Sequence, residues 1–329
     1  MKIIAFSVRN EERKYFKEWE QKNNIYIKLI DEDLSLENVN LIKNYDGLST
    51  FQLKPYDKNL INEMGKIGIK YWSLRNVGID NIDIPSVIKN NIKLANVPTY
   101  SPNAIAEFSI LSALRLLRKS KIISKNIQNG NFSWYPNIGI ELKELTVGII
   151  GTGHIGQIAL NYFKSFGSNI VAYDPYPCEK YKKFYVNNID ELYKKSDIID
   201  IHIPLNEATK NMINKTSINK MKDNVYIINT SRGSIINTDD LISSIENHKI
   251  AGAALDTYEN EYKIIGHNFK YFQNIPNNNL KKLINYNNVI ITPHNAFYTK
   301  TSVKNMVFTS LNNIKEFIDD SLNHQNRVC

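Results

Sequence analysis

The chain has 329 residues, 42% of them hydrophobic and 22% charged, with a formal net charge of +8. That length suits two domains and that composition a globular protein in water; no apolar run approaches the roughly 20 residues that span a membrane, so no membrane partner is expected. The lysines are scattered and no nucleic-acid motif accompanies them, which sets nucleic acid aside as a partner; the two cysteines, Cys178 and Cys329, lie outside any metal-ligand spacing, so no metal site or disulfide framework is expected, and a cytoplasmic location fits.

The N-terminus, MKIIAFSVRNEERKYF, reads as a first strand and helix and not as a signal peptide. Residues 2–7 form the strand, 11–22 the helix and 25–29 the next strand. Asp46-Gly47 precedes a short strand at 48–51, 60–66 is helical, and 71–74 and 94–96 are strands. This alternation makes a small α/β domain of the first hundred or so residues. Val97-Pro98 and Ser101-Pro102 punctuate the chain, and 103–118 is a long helix. Trp134-Tyr135-Pro136 lies in a connecting segment.

The apolar run Val147, Ile149, Ile150 then leads into Gly151, Gly153 and Gly156, a G-x-G-x-x-G. Ile158, Ala159, Tyr162 and Phe163 follow at helical spacing, Gly167 ends that helix, and a strand at 169–173 closes on Asp174. Each glycine has a task in binding a dinucleotide: Gly151 for the turn, Gly153 for backbone approach by a pyrophosphate, Gly156 for packing of helix on strand. The helix N-terminus offers unpaired N–H groups to phosphate. Asp174 can accept hydrogen bonds from both adenosine ribose hydroxyls and would repel a 2′-phosphate, which points to NAD over NADP.

Strands at 198–203, 225–229, 251–255 and 289–291 follow, with helical segments at 192–195 and 238–246, the latter with Thr238 and Asp239 as cap candidates. A last helix at 303–317 runs into a polar tail. Ligands of such sheets bind beyond the carboxyl ends of the strands. Arg232, Asp256 and His294 stand at three such ends, and Glu261 lies five positions past Asp256. A guanidinium binds carboxylate bidentately, a histidine trades a proton near neutrality, and a glutamate on its other nitrogen fixes the tautomer. Beside a nicotinamide, that set suits hydride transfer to a 2-oxo acid. His154 sits in the glycine loop; His202 packs on the adenine side; His248, His267 and His324 are surface residues. A Ser231–His294 hydrolase lacks its G-x-S-x-G elbow.

The stretches SLRNVGIDNID (73–83), NVPTYSPNAIAEF (96–108), VGIIGTGHIGQ (147–157), INTSRG (228–233), LDTYENE (255–261) and TPHNAFYT (292–299) keep the order of one family. The chain resembles the NAD-dependent D-2-hydroxyacid dehydrogenases, in the branch of the D-lactate and D-2-hydroxyisocaproate enzymes. The resemblance implies an α/β fold of two doubly wound parallel-sheet domains, with a cleft between them. These are a Rossmann NAD-binding domain at 101–298 and a smaller flavodoxin-like catalytic domain at 1–100 and 299–329. It implies that Arg232 binds substrate, that His294 is the acid/base and Glu261 its partner, and that Asp256 tunes pH dependence nearby. Backbone N–H groups of Val77 and Gly78 would hold the substrate carboxylate when the small domain closes, with Tyr100 and Phe297 lining the pocket. His154, Ile155, Asp174, Pro204, Thr209, Thr230 and Asp256 would line the cofactor site beside Gly151, Gly153 and Gly156. It further implies a homodimer built through the cofactor domain, with the helix at 103–118 in the interface. Phe51 matches a pocket position, and a bulky ring there favours a small substrate. The expected reaction is reversible reduction of pyruvate to D-lactate. Reduction of larger 2-oxo acids is the alternative, and an NAD(H)-sensing binding protein a more distant one.

Overall fold

Short apolar runs alternate with amphipathic helices along this chain, and in the computed structural model, which describes residues 1–321 and 326–329, the runs become parallel strands. Two compact units result, Met1–Ser101 with Tyr298–Cys329, and Pro102–Phe297. The surface placement expected of His324 concerns a position outside the described residues.

The first unit runs β1 (Lys2–Ala5), α1 (Arg13–Asn23), β2 (Tyr26–Leu29), β3 (Gly47–Thr50), α2 (Lys58–Ile67), β4 (Tyr71–Leu74), α3 (Ile84–Lys89) and β5 (Lys93–Ala95). Its sheet has the order β2-β1-β3-β4-β5, all parallel, which is the flavodoxin-like doubly wound order. The C-terminal helix, Lys300–Ile318, returns to cover one face: Val307, Leu311 and Ile314 pack with Ile3, Ala5, Phe16 and Trp19. Polar contacts tie it to the strands. The hydroxyls of Ser49 and Ser310 are 2.8 Å apart, and Asn313 Nδ2 donates to Asn96 O at 2.8 Å. Trp19 Nε1 donates to Asn312 Oδ1 and Trp72 Nε1 to Thr50 Oγ1, so both buried indoles are satisfied.

One feature of this unit differs from the sequence expectation and a second was not foreseen in it. The C-terminal residues do not trail as a polar tail: Arg327 bridges Ala95 antiparallel, Val328 N–H donates to Leu94 O and Leu94 N–H to Cys329 O. They cover an edge strand whose backbone groups would otherwise go unpaired. The second is a fully buried ion pair, Arg75 with Glu12, at 3.0 Å. Arg75 also donates to Phe6 O, Ser7 O and Ser49 Oγ, so one guanidinium fastens the ends of β1 and β3. Burial opposes the charge on Glu12, but Arg75 and Arg9 outweigh it and hold the carboxyl below the usual carboxylate range.

The second unit runs α4 (Pro102–Leu117), α5 (Ser120–Gln128), β6 (Thr146–Ile150), α6 (His154–Ser165), β7 (Asn169–Tyr173), α7 (Ile189–Lys195) and β8 (Ile198–Ile201). It continues with α8 (Lys215–Lys220), β9 (Val225–Asn229), α9 (Thr238–Glu246), β10 (Ile250–Leu255), α10 (Asn278–Asn285) and β11 (Val289–Ile291). The parallel sheet has the order β11-β10-β9-β8-β6-β7. β6 therefore has β7 on one side and β8 on the other, and the winding reverses between β6 and β8. That is the switch point at which doubly wound sheets bind ligands. Beyond β7 an isolated parallel bridge, Ala172 to Tyr185, stands where a further outer strand would pair. Ile149, Ile199, Ile201 and Ile227 are fully buried, each worth roughly 1.5–3 kcal/mol relative to exposure.

The cap of α9 is Asn237, not Thr238 or Asp239: its side chain accepts from Asp240 N. Thr238 instead donates its hydroxyl to Glu259 Oε2 at 3.0 Å. Lys121 extends from α5 to three backbone carbonyls, Ile284, Tyr286 and Val289, at 2.6–2.7 Å, and so seals the end of α10 and the start of β11.

Candidate active site

The glycine loop joins β6 to α6 at the switch point. Gly151 has φ +88°, and a Cβ there would meet His202 O, just past the end of β8, at 2.4 Å. A Cβ on Gly156 would lie 1.9 Å from Gly151 O, so only glycine allows α6 to start this close to β6. Gly153 differs: it caps α6, and a Cβ there would meet nothing within 4 Å. It faces open space with exposed His154 and half-buried Ile155 beside it at the helix N-terminus.

Asp174 stands at the end of β7 against this loop. Its Oδ2 accepts from Thr152 N at 2.6 Å and its Oδ1 from Tyr176 N at 2.8 Å. Oδ2 also accepts from Thr152 Oγ1 at 3.1 Å, so the lone pair left for a further donor is on Oδ1. Thr152 and Tyr185 share a 2.6 Å hydroxyl contact behind it, a brace that the sequence did not reveal because Tyr185 sits in an irregular segment. Past β8, Pro204 O accepts from the Thr209 hydroxyl at 2.7 Å, which folds that loop on itself. His202 is buried and bonded through Nε2 to Asp200 Oδ2 at 2.7 Å.

The ends of β9, β10 and β11 carry the remaining polar residues. Asn229 shapes the first turn: its Oδ1 accepts from Ser231 N and its Nδ2 donates to Arg232 O. Gly233 then presses against Tyr258, where a Cβ would come within 2.0 Å of the Tyr258 carbonyl carbon. That approach brings the Arg232 turn beside the loop after β10. Thr230 Oγ1 is buried with no hydrogen-bond partner.

Asp256 is 2% exposed and works as a clamp. Its Oδ1 accepts from Thr292 Oγ1 and Asn295 N, its Oδ2 from Ala296 N, and its carbonyl from His294 N. The loop after β11 is thus wrapped around one carboxylate. His294 sits in it at φ +52°, a left-handed conformation that histidine tolerates better than most side chains. Its Nδ1 is 2.6 Å from Glu261 Oε1, and Glu261 Oε2 accepts from Tyr258 N. Nδ1 is therefore occupied by the carboxylate, and Nε2 is the nitrogen left for other chemistry. Phe297 lies edge-on to the imidazole at 6.4 Å. Burial, then the charges of Glu261 and Asp256, push the Tyr258 phenol up.

The other predicted residues, Phe51, Val77, Gly78 and Tyr100, lie in the first unit. Asn96 Nδ2 donates to Val77 O and Asn76 Nδ2 to Gly78 O, both at 2.7 Å. The carbonyls of this turn are thereby fixed, while among the described residues neither Val77 N–H nor Gly78 N–H donates to the protein. Asn76 and Asn96, whose side chains hold this turn, do not stand out in the sequence; asparagine at a strand end is the signal. Tyr100 is half-buried and its carbonyl accepts from Asn305 Nδ2 at 2.7 Å. The Phe51 ring stacks on the Arg9 guanidinium.

Residues 110–296 match the model of the D-isomer specific 2-hydroxyacid dehydrogenase family, NAD binding domain. The chain belongs to this family. It is an NAD-dependent oxidoreductase. The family member is 44% identical to D-lactate dehydrogenase of Lactiplantibacillus plantarum, over 97% of each chain. Among solved structures, it resembles D-2-hydroxyisocaproate dehydrogenase at TM-score 0.89 and 37% identity, covering 100% of this chain and 99% of the other. The NAD-complexed D-isomer specific 2-hydroxyacid dehydrogenase of Lactobacillus delbrueckii ssp. bulgaricus is similar at TM-score 0.87 and 34% identity, over 100% of both chains.

The switch-point geometry fits that cofactor. Gly153 leaves open space at a helix N-terminus, where a pyrophosphate is stabilised, and Thr230 keeps a buried hydroxyl unpaired. Among the described residues no group of three or more His, Cys, Asp or Glu side chains is placed to hold a metal ion, and no helix is long and apolar enough to cross a membrane.

Proposed function

We propose that this dehydrogenase catalyses the reversible reduction of pyruvate to D-lactate. The observation that carries the proposal is the Glu261–His294 pair, 2.6 Å apart at the end of β11, on a loop that Asp256 clamps. Bound NADH supplies a hydride to the carbonyl carbon. His294 Nε2 gives a proton to the carbonyl oxygen, and the Glu261 carboxylate stabilises the imidazolium form and holds the ring's orientation. Arg232 takes the substrate carboxylate in its planar fork, and the N–H groups of Val77 and Gly78 add donors to the same charge. Gly151, Gly153, His154, Ile155 and Gly156 cradle the pyrophosphate. Asp174 receives the ribose hydroxyls, and Pro204, Thr209, Thr230 and Asp256 line the cofactor's remaining length. Tyr100 and Phe297 line the substrate pocket, and a bulky ring at Phe51 favours a substrate with a small side chain.

A substrate screen tests this. NADH loss with pyruvate, 2-oxoisocaproate and phenylpyruvate is followed by absorbance, and the product's configuration is resolved. A higher kcat/KM for pyruvate and a D-product are expected. A preference for 2-oxoisocaproate would reject the Phe51 argument and favour the larger-substrate alternative. No turnover of any 2-oxo acid, with NADH still bound, would reject the enzymatic reading.

The protein also acts, in this reading, as a cytoplasmic homodimer joined through the second unit. Phe132, Trp134, Tyr135 and Ile138 are 77–88% exposed in the segment after α5, a cluster of apolar side chains suited to burial by a second copy. Light scattering should give twice the 38.0 kDa chain mass. A monomer at micromolar concentration would reject it.

A further inference from the structure

We infer that Arg9 is a specificity-positioning residue, which sets the width of the substrate pocket by fixing the Phe51 ring. The inference rests on the proposal that Phe51 faces the substrate. Arg9 follows β1 in the chain, and Phe51 follows β3. Neither residue belongs to a motif, and they lie far apart in sequence. In the folded unit the Arg9 Cζ stands 4.5 Å from the centroid of the Phe51 ring and 5.5 Å from that of Tyr298. A planar cation thus lies against two aromatic rings, an arrangement favoured by the ring quadrupoles.

The guanidinium is itself held. Arg9 Nη2 donates to Glu12 Oε1 at 3.0 Å, Arg9 N–H donates to Glu12 Oε2 at 2.9 Å, and Nε is 3.4 Å from Glu11 Oε1. Glu12 is fully buried and paired with Arg75. Arg75 in turn bonds Ser49 Oγ in β3, two positions before Phe51, and the carbonyls of Phe6 and Ser7. One connected network therefore runs from the sheet through Arg75 and Glu12 to Arg9 and onto the face of Phe51. Phe51 stands just past the end of β3, and the held guanidinium fixes one face of its ring. A ring free to swing admits a larger 2-oxo acid; a ring pinned by Arg9 excludes it.

The experiment measures kcat/KM for pyruvate and for 2-oxoisocaproate in the wild type, Arg9→Leu, Arg9→Lys, Phe51→Leu and the double variant Arg9→Leu/Phe51→Leu. NADH affinity is measured in each. Arg9→Leu should lower the pyruvate preference by about five- to tenfold, the size of one cation–π contact. Arg9→Lys keeps the charge on Glu12 but loses the planar face, and should lower the preference by about two- to threefold. NADH affinity should stay unchanged in all. The double variant should be no more relaxed than Phe51→Leu alone, because Arg9 acts through that ring.

Equal losses on both substrates in Arg9→Leu would mark a purely structural residue and overturn the inference. Additive effects in the double variant would overturn it too. Should Arg9→Leu fail to fold, an unchanged preference in Arg9→Lys decides against it. An unchanged preference in Phe51→Leu would sink the underlying reading of Phe51. A relaxed Phe51→Leu beside an unrelaxed Arg9→Leu would sink only the role of Arg9.

Discussion

Two glycines three residues apart in the same loop should fail in opposite ways when changed to alanine. At Gly156 the new Cβ would stand 1.9 Å from Gly151 O, against a floor of about 3.0 Å for real contacts. Backbone lies on both sides, so α6 and the end of β6 must separate by about 1 Å. Overpacking of this kind costs about 1–3 kcal/mol, and two rigid partners place the cost near the upper figure. For a unit of this size that lowers the melting temperature by about 6–12 °C. At Gly153 the φ of −66° suits alanine and the methyl meets nothing, so stability should stay within about 1 kcal/mol of wild type. The methyl would, however, occupy the space a pyrophosphate needs, and NADH affinity should fall about tenfold or more, equal to about 1.4 kcal/mol. Calorimetry and NADH titration of the two variants read both quantities. An unchanged melting temperature in Gly156→Ala, or NADH affinity within twofold of wild type in Gly153→Ala, would refute the assignment of the loop.

Other outcomes follow from the same geometry. Glu12→Gln should destabilise the first unit by about 3–5 kcal/mol at neutral pH, because it leaves Arg75 buried without its counter-charge. The carboxyl of Glu12 is held below its ordinary value of 4.5, so its stabilisation is complete above that value and is lost as the pH falls through the depressed one. Urea midpoints measured on acidification should therefore drop more steeply in the wild type than in Glu12→Gln; parallel curves would contradict the pairing. Lys121→Met removes a charged donor from three carbonyls and should cost about 1–3 kcal/mol in denaturant unfolding, the half-buried site moderating the loss. His294→Asn, which tolerates the positive φ, should lower kcat by about 10²- to 10⁴-fold with NADH affinity retained; near wild-type turnover would remove His294 from the chemistry.

Much of the architecture was legible because the buried parallel strands are short apolar runs with clear borders. β9 and β11 begin and end where the sequence places them. The helices that escaped notice lacked that contrast. α5 buries none of its residues, and its apolar side chains, Ile122, Ile123 and Ile127, are too few to stand out between polar neighbours. α10 is built from Asn-Asn-Leu-Lys-Lys-Leu-Ile-Asn, and asparagine is a poor helix former that masks Leu280 and Leu283. α8 is one turn and a half, started by a capping box between Asn214 and Ser217. At the site, the glycine loop and the strand-end residues follow local rules, so their type and order carry the information. The Arg9–Glu12–Arg75 network does not: Glu12 and Arg75 are 63 positions apart, and nothing in either neighbourhood names the other. The clamp by Asp256 is intermediate. Its place at a strand end is visible in the sequence, but its bonds to Thr292, Asn295 and Ala296 depend on a loop 36 to 40 positions further on.

The distribution of tryptophan gives the two units different optical signatures. Trp19 and Trp72 are buried in the first unit, while Trp134, the indole of the second, is 88% exposed. A buried indole changes its emission when its surroundings melt, and one already in water barely does. In a single chain intrinsic fluorescence therefore records the unfolding of the first unit almost alone, and burial of Trp134 by a second copy, as proposed above, adds a change that depends on protein concentration. Circular dichroism records both, and a lag between the two signals would show directly which half of the chain gives way first.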